Sequence, residues 1–207
     1  MDQILNKSRK RKTKNPCLDC GLSKDFCICS LIPVLQTRTR VCLVVHRKEL
    51  KRTTNTGRLA IKSLVNSRMY IRGELDQKSL DLSDLISADY RSVLFYPSDD
   101  AVELNLDFMQ QNPLPIQLIV PDGNWRQASK VYSRHPELAD LEKVKISSAN
   151  LAENHLRKEH FAEGMSTLQA IALALGVTEG ADVMEALMQV YNLKLKRTLQ
   201  GRGVKDA

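Results

Sequence analysis

The chain has 207 residues, 43% hydrophobic, 27% charged and 5% aromatic, which suits one packed core of medium size. Its longest apolar run, Leu168 to Val177 with Gln169 inside it, is about half the ~20 residues a bilayer needs, and Met1 to Leu5 leads into basic residues rather than a signal-peptide core, so a cytoplasmic location without membrane contact is expected. The net charge of +7 is divided unevenly: residues 38–72 hold ten Lys and Arg against Glu49 alone, whereas residues 73–193 hold nine basic and nineteen acidic side chains.

That asymmetry points to a polyanionic partner, for which nucleic acid is the usual candidate; two solvated tails and a charged helix face are the plainer alternative. Residues 1–15 read as a disordered basic arm, because Lys7 to Lys14 contains no apolar side chain. Residues 16–37 form a small loop-rich module holding four of the five cysteines, spaced Cys17-x2-Cys20-x6-Cys27-x-Cys29. A peptide this short cannot hold itself by apolar burial, and four thiolates fit a structural tetrahedral zinc site. Disulfides and unmetallated thiols are the competing readings, the former disfavoured in a reducing compartment. A closed four-thiolate site leaves no position for substrate, so Cys17, Cys20, Cys27 and Cys29 are assigned a structural or RNA-facing role.

Residues 38–200 read as an α/β catalytic domain. Val41 to Val45 has the length of a buried strand, followed by a polar turn through Thr53 to Gly57 and a helical stretch on which Leu59, Ile61, Leu64, Val65 and Met69 share a face. Val93 to Tyr96 and Ile116 to Val120 are further strands, each ended by a proline and followed by a polar segment, which favours a mainly parallel sheet with crossover helices. Trp125 to Tyr132 reads as helix and Val144 to Ile146 as strand. Ser166 and Gln169 have capping-box spacing, opening an apolar helix from Leu168 to Leu175 that Gly176 is expected to stop. A last helix spans Ala181 to Leu199.

Ligands of open parallel sheets bind beyond the carboxyl ends of the strands. Three polar segments fall there: His46 to Glu49 with Thr53 to Gly57, Tyr96 to Ala101, and Pro121 to Trp125. Taken singly, Asp122-Gly123 is an ordinary turn, Trp125 a core anchor and His46 a strand end. Taken together, Pro121-Asp-Gly-Asn-Trp-Arg-Gln-Ala128 after a buried strand resembles the signature of the DTW-domain family, the tRNA-uridine aminocarboxypropyltransferases. The paired cysteines, His46-x2-Glu49, Asn55-Thr-Gly57, Tyr96-Pro97 with Asp100-Ala101, and Ser166-Thr-Leu168 with Ala170 match in the same order, so the likeness runs from about residue 17 to 176. Asn124 stands where the family's name motif has threonine, and Gln169 where glutamate is usual.

The resemblance implies a SPOUT-like fold with a C-terminal knot, S-adenosylmethionine as donor of a 3-amino-3-carboxypropyl group, and N3 of a tRNA uridine in the variable loop as acceptor, with methylthioadenosine leaving. It implies Asp122 as the base for N3, or as a group that only orients uracil or the donor's amine, and Trp125 as a stacking residue. The donor would be held by Leu118, Val120, Asp122, Gly123, Asn124, Tyr96, Pro97, Ser166, Thr167 and Leu168, with Arg157 for its carboxylate. The RNA would be met by His46, Glu49, Asn55, Thr56, Arg47, Lys51 and Arg52. A SPOUT-like RNA methyltransferase and a non-catalytic zinc-stabilised RNA-binding protein are the alternatives, and no obligatory protein partner is expected.

Overall fold

A strand that is apolar at every position, as Val41 to Val45 is, must be covered on both faces. The structure, a computed structural model, describes residues 13, 15–74, 80–123, 125–147 and 165–204. Its strands are β1 (Arg40–His46), β2 (Ser67–Arg72), β3 (Arg91–Phe95), β4 (Val102–Glu103), β5 (Ile116–Asp122) and β6 (Lys143–Lys145). They form one six-stranded sheet in the order β2-β1-β5-β3-β6-β4, parallel throughout. The helices are α1 (Arg47–Leu50), α2 (Gly57–Ser63), α3 (Leu106–Gln110), α4 (Trp125–Arg134), α5 (Thr167–Thr178) and α6 (Ala181–Gly201).

Alternation along β1 and β5 divides the core in two. Val41, Leu43, Val45, Leu118 and Val120 face Leu59 of α2, Ile171 and Leu175 of α5, and Leu187 and Tyr191 of α6. Cys42, Val44 and Ile119 face the other way, toward Leu82, Leu85, Val131 of α4 and Leu138. Cys42 is therefore a core residue, as its strand position suggests. Cys20, Leu22 and Ile28 of the cysteine segment join the first of these cores.

Two sequence expectations are corrected. The helix after the first strand ends at Ser63, and Met69 lies in β2. Ser63 Oγ donates back to the Leu59 carbonyl at 2.9 Å, and Ser67 Oγ donates to the Leu64 carbonyl at 2.7 Å, so local hydroxyls satisfy the helix end and release the chain into a strand. Gly176 does not stop α5, which continues to Thr178. A Cβ there would lie 3.0 Å from Met184 Sδ, so this glycine permits close approach of α6. The helix turns instead at Gly180, whose φ of 108° belongs to the left-handed region.

The Ser166 capping box forms as expected. Gln169 Oε1 accepts from the Ser166 backbone at 3.1 Å, so the neutral side chain fills the acceptor role a glutamate would. At the other end of α5, Glu179 accepts from the backbone N–H groups of Arg38 and Thr39 at 3.1 and 2.7 Å. The helix thus spans β1 from one end to the other. No described helix is long and apolar enough to cross a membrane. The stretch in which a knot would be threaded falls largely within 148–164, outside the described residues.

Candidate functional site

β1 and β5 are neighbours whose continuations diverge. From β1 the chain passes through α2 on one face to β2, and from β5 through α4 on the opposite face to β6. This is a topological switch point, and ligands of open parallel sheets bind at such points, beyond the carboxyl ends of the strands. Asp122, the last residue of β5, stands in register with Val45 at that end.

Asp122 is 7% exposed, and both carboxylate oxygens accept hydrogen bonds. Asn55 Nδ2 donates to Oδ2 at 2.6 Å and Thr167 Oγ1 donates to Oδ1 at 2.6 Å. Thr56 completes the junction, its Oγ1 accepting from the Leu168 backbone N–H at 3.3 Å. Three distant segments, the polar turn after β1, the end of β5 and the first turn of α5, therefore converge on one carboxylate. The approach is tight: a Cβ on Gly57 would lie 2.9 Å from Asp122 Oδ2 and 3.0 Å from Leu43 Cδ2. Only glycine allows α2 to begin against the carboxylate.

The other anticipated residues divide by position. His46, at the end of β1, accepts from the Lys48 backbone N–H through Nδ1 at 3.1 Å, and burial, reinforced by Arg72, holds its imidazole below the usual pKa. Glu49 is buried and pairs with Arg52 Nε at 3.2 Å. Lys51 and Arg52 are exposed and Arg47 half-buried, all just past the carboxyl end of β1. Arg38 and Arg40 lie about 20 Å away, at the opposite end of β1. Tyr96 and Pro97 leave β3, which flanks β5 on its other side, and the Tyr96 ring packs 5.5 Å from that of Tyr132. Burial raises the Tyr96 phenol above its usual pKa.

Leu118 and Val120 turn their side chains into the core, and Leu118 sits about 13 Å below Asp122 along the strand, paired on both sides. Gly123 follows Asp122, where a Cβ would meet Gln127 Cβ at 2.8 Å. Asn124 and Arg157, and the side chain of Trp125, lie outside the described residues. The sequence reading missed Gly57 as a contact of Asp122, although the Asn55-Thr-Gly57 motif held the signal.

The four cysteines come together. Sulfur separations are 3.7 Å for Cys17 and Cys29, 3.8 Å for Cys20 and Cys27, and 3.6 Å for Cys17 and Cys27, and all four lie within 4.8 Å of one another. Sulfurs at the corners of a tetrahedron about 2.3 Å from a central zinc stand ~3.8 Å apart, so the residues fit the ion. The Cys20 backbone N–H draws the Cys17 thiol down to about 6, whereas burial and then the neighbouring sulfurs push Cys29 above the usual thiol range. Four thiolates this close need a cation. The segment is clamped by Arg58 Nη1, which donates to the carbonyls of Leu18 and Asp19 at 3.0 and 3.5 Å. Lys62 pairs with Asp19 at 2.9 Å. The buried Lys194 of α6 donates to the Cys20 carbonyl, an anchor that nothing in the sequence pattern announces.

The chain is similar to known proteins of one family. The DTW domain matches residues 14–199. A mouse protein named tRNA-uridine aminocarboxypropyltransferase 2 is 24% identical over 169 residues, covering 79% of this chain and 56% of its own length. A Drosophila melanogaster protein of the same name is 25% identical over 172 residues, with 80% and 67% covered. An Arabidopsis thaliana protein named tRNA-uridine aminocarboxypropyltransferase A is 24% identical over 203 residues, with 84% and 77% covered. The chain thus spans little more than half of the mouse relative's length. No solved structure matches it. On the extent of the domain match, the chain belongs to the DTW domain family.

Proposed function

We propose that this chain is a tRNA-uridine aminocarboxypropyltransferase, transferring the 3-amino-3-carboxypropyl group of S-adenosylmethionine to N3 of a variable-loop uridine. The observation that carries the reading is Asp122 at the switch point, gripped by Asn55 and Thr167, with Arg47, Lys51 and Arg52 just past the carboxyl end of β1. The names of the relatives support the same chemistry. S-adenosylmethionine suits the site because the Ser166 and Thr167 hydroxyls beside Asp122 can bond its polar groups; when bound, it would supply a sulfonium-activated carbon. A SPOUT-like fold of the catalytic domain belongs to the same reading.

In this reading Asp122 accepts the uracil N3 proton, which would free N3 to attack the activated carbon that the bound donor would supply, methylthioadenosine being the leaving group. Asn55 Nδ2 and Thr167 Oγ1 donate to the two oxygens of Asp122, and an ionised carboxylate is an acceptor that can take a proton. The two donors fix its direction, and orientation is where most of the advantage lies. They also favour a second assignment, in which Asp122 orients the uracil edge without taking the proton. Arg47, Lys51 and Arg52 meet RNA phosphates, with His46, Glu49, Asn55 and Thr56 behind them, while Tyr96, Pro97, Gly123, Ser166 and Leu168 line the donor's side. The cysteine cluster holds zinc as a structural ion.

Mass spectrometry of nucleosides from tRNA incubated with the purified protein and S-adenosylmethionine tests the reading. Aminocarboxypropyluridine is the expected product; unmodified tRNA, or methylated nucleoside alone, contradicts it. The two roles of Asp122 separate in Asp122→Asn, which keeps a hydrogen-bonding edge: loss of nearly all transfer fits the base, and retention of a large part fits orientation.

A further inference from the structure

We propose that the cysteine knuckle positions the active-site carboxylate, with Arg58 as the positioning residue between them. The inference rests on the reading of Asp122 given above and concerns what holds it in place. Arg58 bonds in two directions. Its Nη1 donates to the Leu18 and Asp19 carbonyls inside Cys17-x2-Cys20. Its backbone N–H donates to Asn55 Oδ1 at 3.2 Å, and Asn55 Nδ2 donates to Asp122 Oδ2 at 2.6 Å. The path from the cluster to the carboxylate is therefore continuous.

A second contact runs beside it. Gly21, directly after the second cysteine, has φ of 73°, and a Cβ there would lie 3.2 Å from Thr53 Cα and 3.3 Å from the Thr53 carbonyl oxygen. The knuckle backbone thus forms a wall for the loop that delivers Asn55. The tip of the knuckle has no apolar burial of its own, since Leu18 is 91% exposed. Core burial of Cys20, the Lys194 bond to its carbonyl and the Lys62–Asp19 pair hold one side of this tip, and zinc ligation of Cys17 and Cys20 adds to them when the ion is bound. Zinc loading then orders Leu18 and Asp19, these orient Arg58, and Arg58 sets the direction in which Asn55 presents its amide to Asp122.

The test uses the full chain purified with zinc. The side-chain amide signals of Asn55, assigned by their loss in Asn55→Ser, are followed by nitrogen–proton NMR in the wild type, in the wild type after zinc removal and re-addition, and in Arg58→Met and Arg58→Lys. In Arg58→Met the Asn55 signals are expected to move while zinc content stays at that of the wild type. The kcat for tRNA modification should fall about tenfold with KM for tRNA within about twofold, the pattern of a misdirected group. Arg58→Lys, which keeps a donor and the charge, should recover most of both. In the wild type the signals should move on zinc removal and return with zinc. Unmoved Asn55 signals in zinc-loaded Arg58→Met overturn the proposal, and that variant decides the matter if zinc removal unfolds the chain. A wild type that transfers nothing would refute the functional reading, while the Asn55 signals still decide whether the knuckle governs this hydrogen bond.

Discussion

Asn55 and Asp122, 67 residues apart in the chain, meet through a 2.6 Å hydrogen bond between two buried side chains. Asn55 serves two partners, since its Oδ1 also accepts from the Arg58 backbone N–H at 3.2 Å at the start of α2. A buried carboxylate with matched donors on each oxygen is a built feature, since leaving one oxygen without its donor costs roughly 1–3 kcal/mol.

Thr167→Val tests the other half of that pairing. Valine keeps the shape and removes the donor to Oδ1. The expected result is a fall in kcat of about tenfold or more, with a melting temperature lower by only a few degrees. Kinetics and calorimetry on the same preparation check both, and an unchanged kcat would show that the hydroxyl does not orient Asp122.

Gly57→Ala probes the tight start of α2. Its Cβ would meet the Asp122 carboxylate at 2.9 Å and Leu43 at 3.0 Å, and overpacking of this kind costs about 1–3 kcal/mol. Thermal unfolding should register that loss, accompanied by weaker S-adenosylmethionine binding in calorimetry. A variant as stable as the wild type would mean that the neighbours yield.

The parallel sheet and its crossover helices were legible in the apolar runs Val41 to Val45 and Ile116 to Val120 with their polar successors, whereas the strand order that makes a switch point between β1 and β5 was not. Less legible was the division of residues 38–72. A run with ten cations reads as one basic surface, yet Arg40 lies over the Tyr90 ring at 4.0 Å and Arg58 turns toward the cysteine knuckle. Charge counting carries no direction, and only tertiary contacts supply it. β2 escaped notice for a similar reason: Leu64, Val65 and Met69 suit a helical face, but hydroxyls at Ser63 and Ser67 end the helix before that face is complete.

Zinc dependence follows from the sulfur spacing. Cys17→Ser combined with Cys20→Ser should remove one bound zinc per chain and lower the melting temperature by roughly 10 °C or more, because ligation supplies folding free energy here. Metal analysis and thermal unfolding check it. Wild-type protein purified in zinc-containing medium without the metal would contradict the assignment.

His135 gives the chain a pH dependence. Burial holds its imidazole below the ordinary value of 6.5, with Arg72 adding to the effect and Glu137 opposing it. Between that lowered pKa and 6.5 the unfolded chain binds the proton more readily, so stability rises with pH across this window. The contribution is complete above the unfolded value and is lost as pH falls through the folded one. The melting temperature of the wild type should therefore fall more steeply than that of His135→Gln between about pH 7 and pH 5. Parallel curves would remove His135 as the cause.

The most direct test of the account is the identity of the spent donor when the protein acts on tRNA with S-adenosylmethionine. The account requires methylthioadenosine, formed in proportion to the aminocarboxypropyl groups gained by the tRNA. Release of S-adenosylhomocysteine in its place, or tRNA binding with no donor consumed, would contradict it.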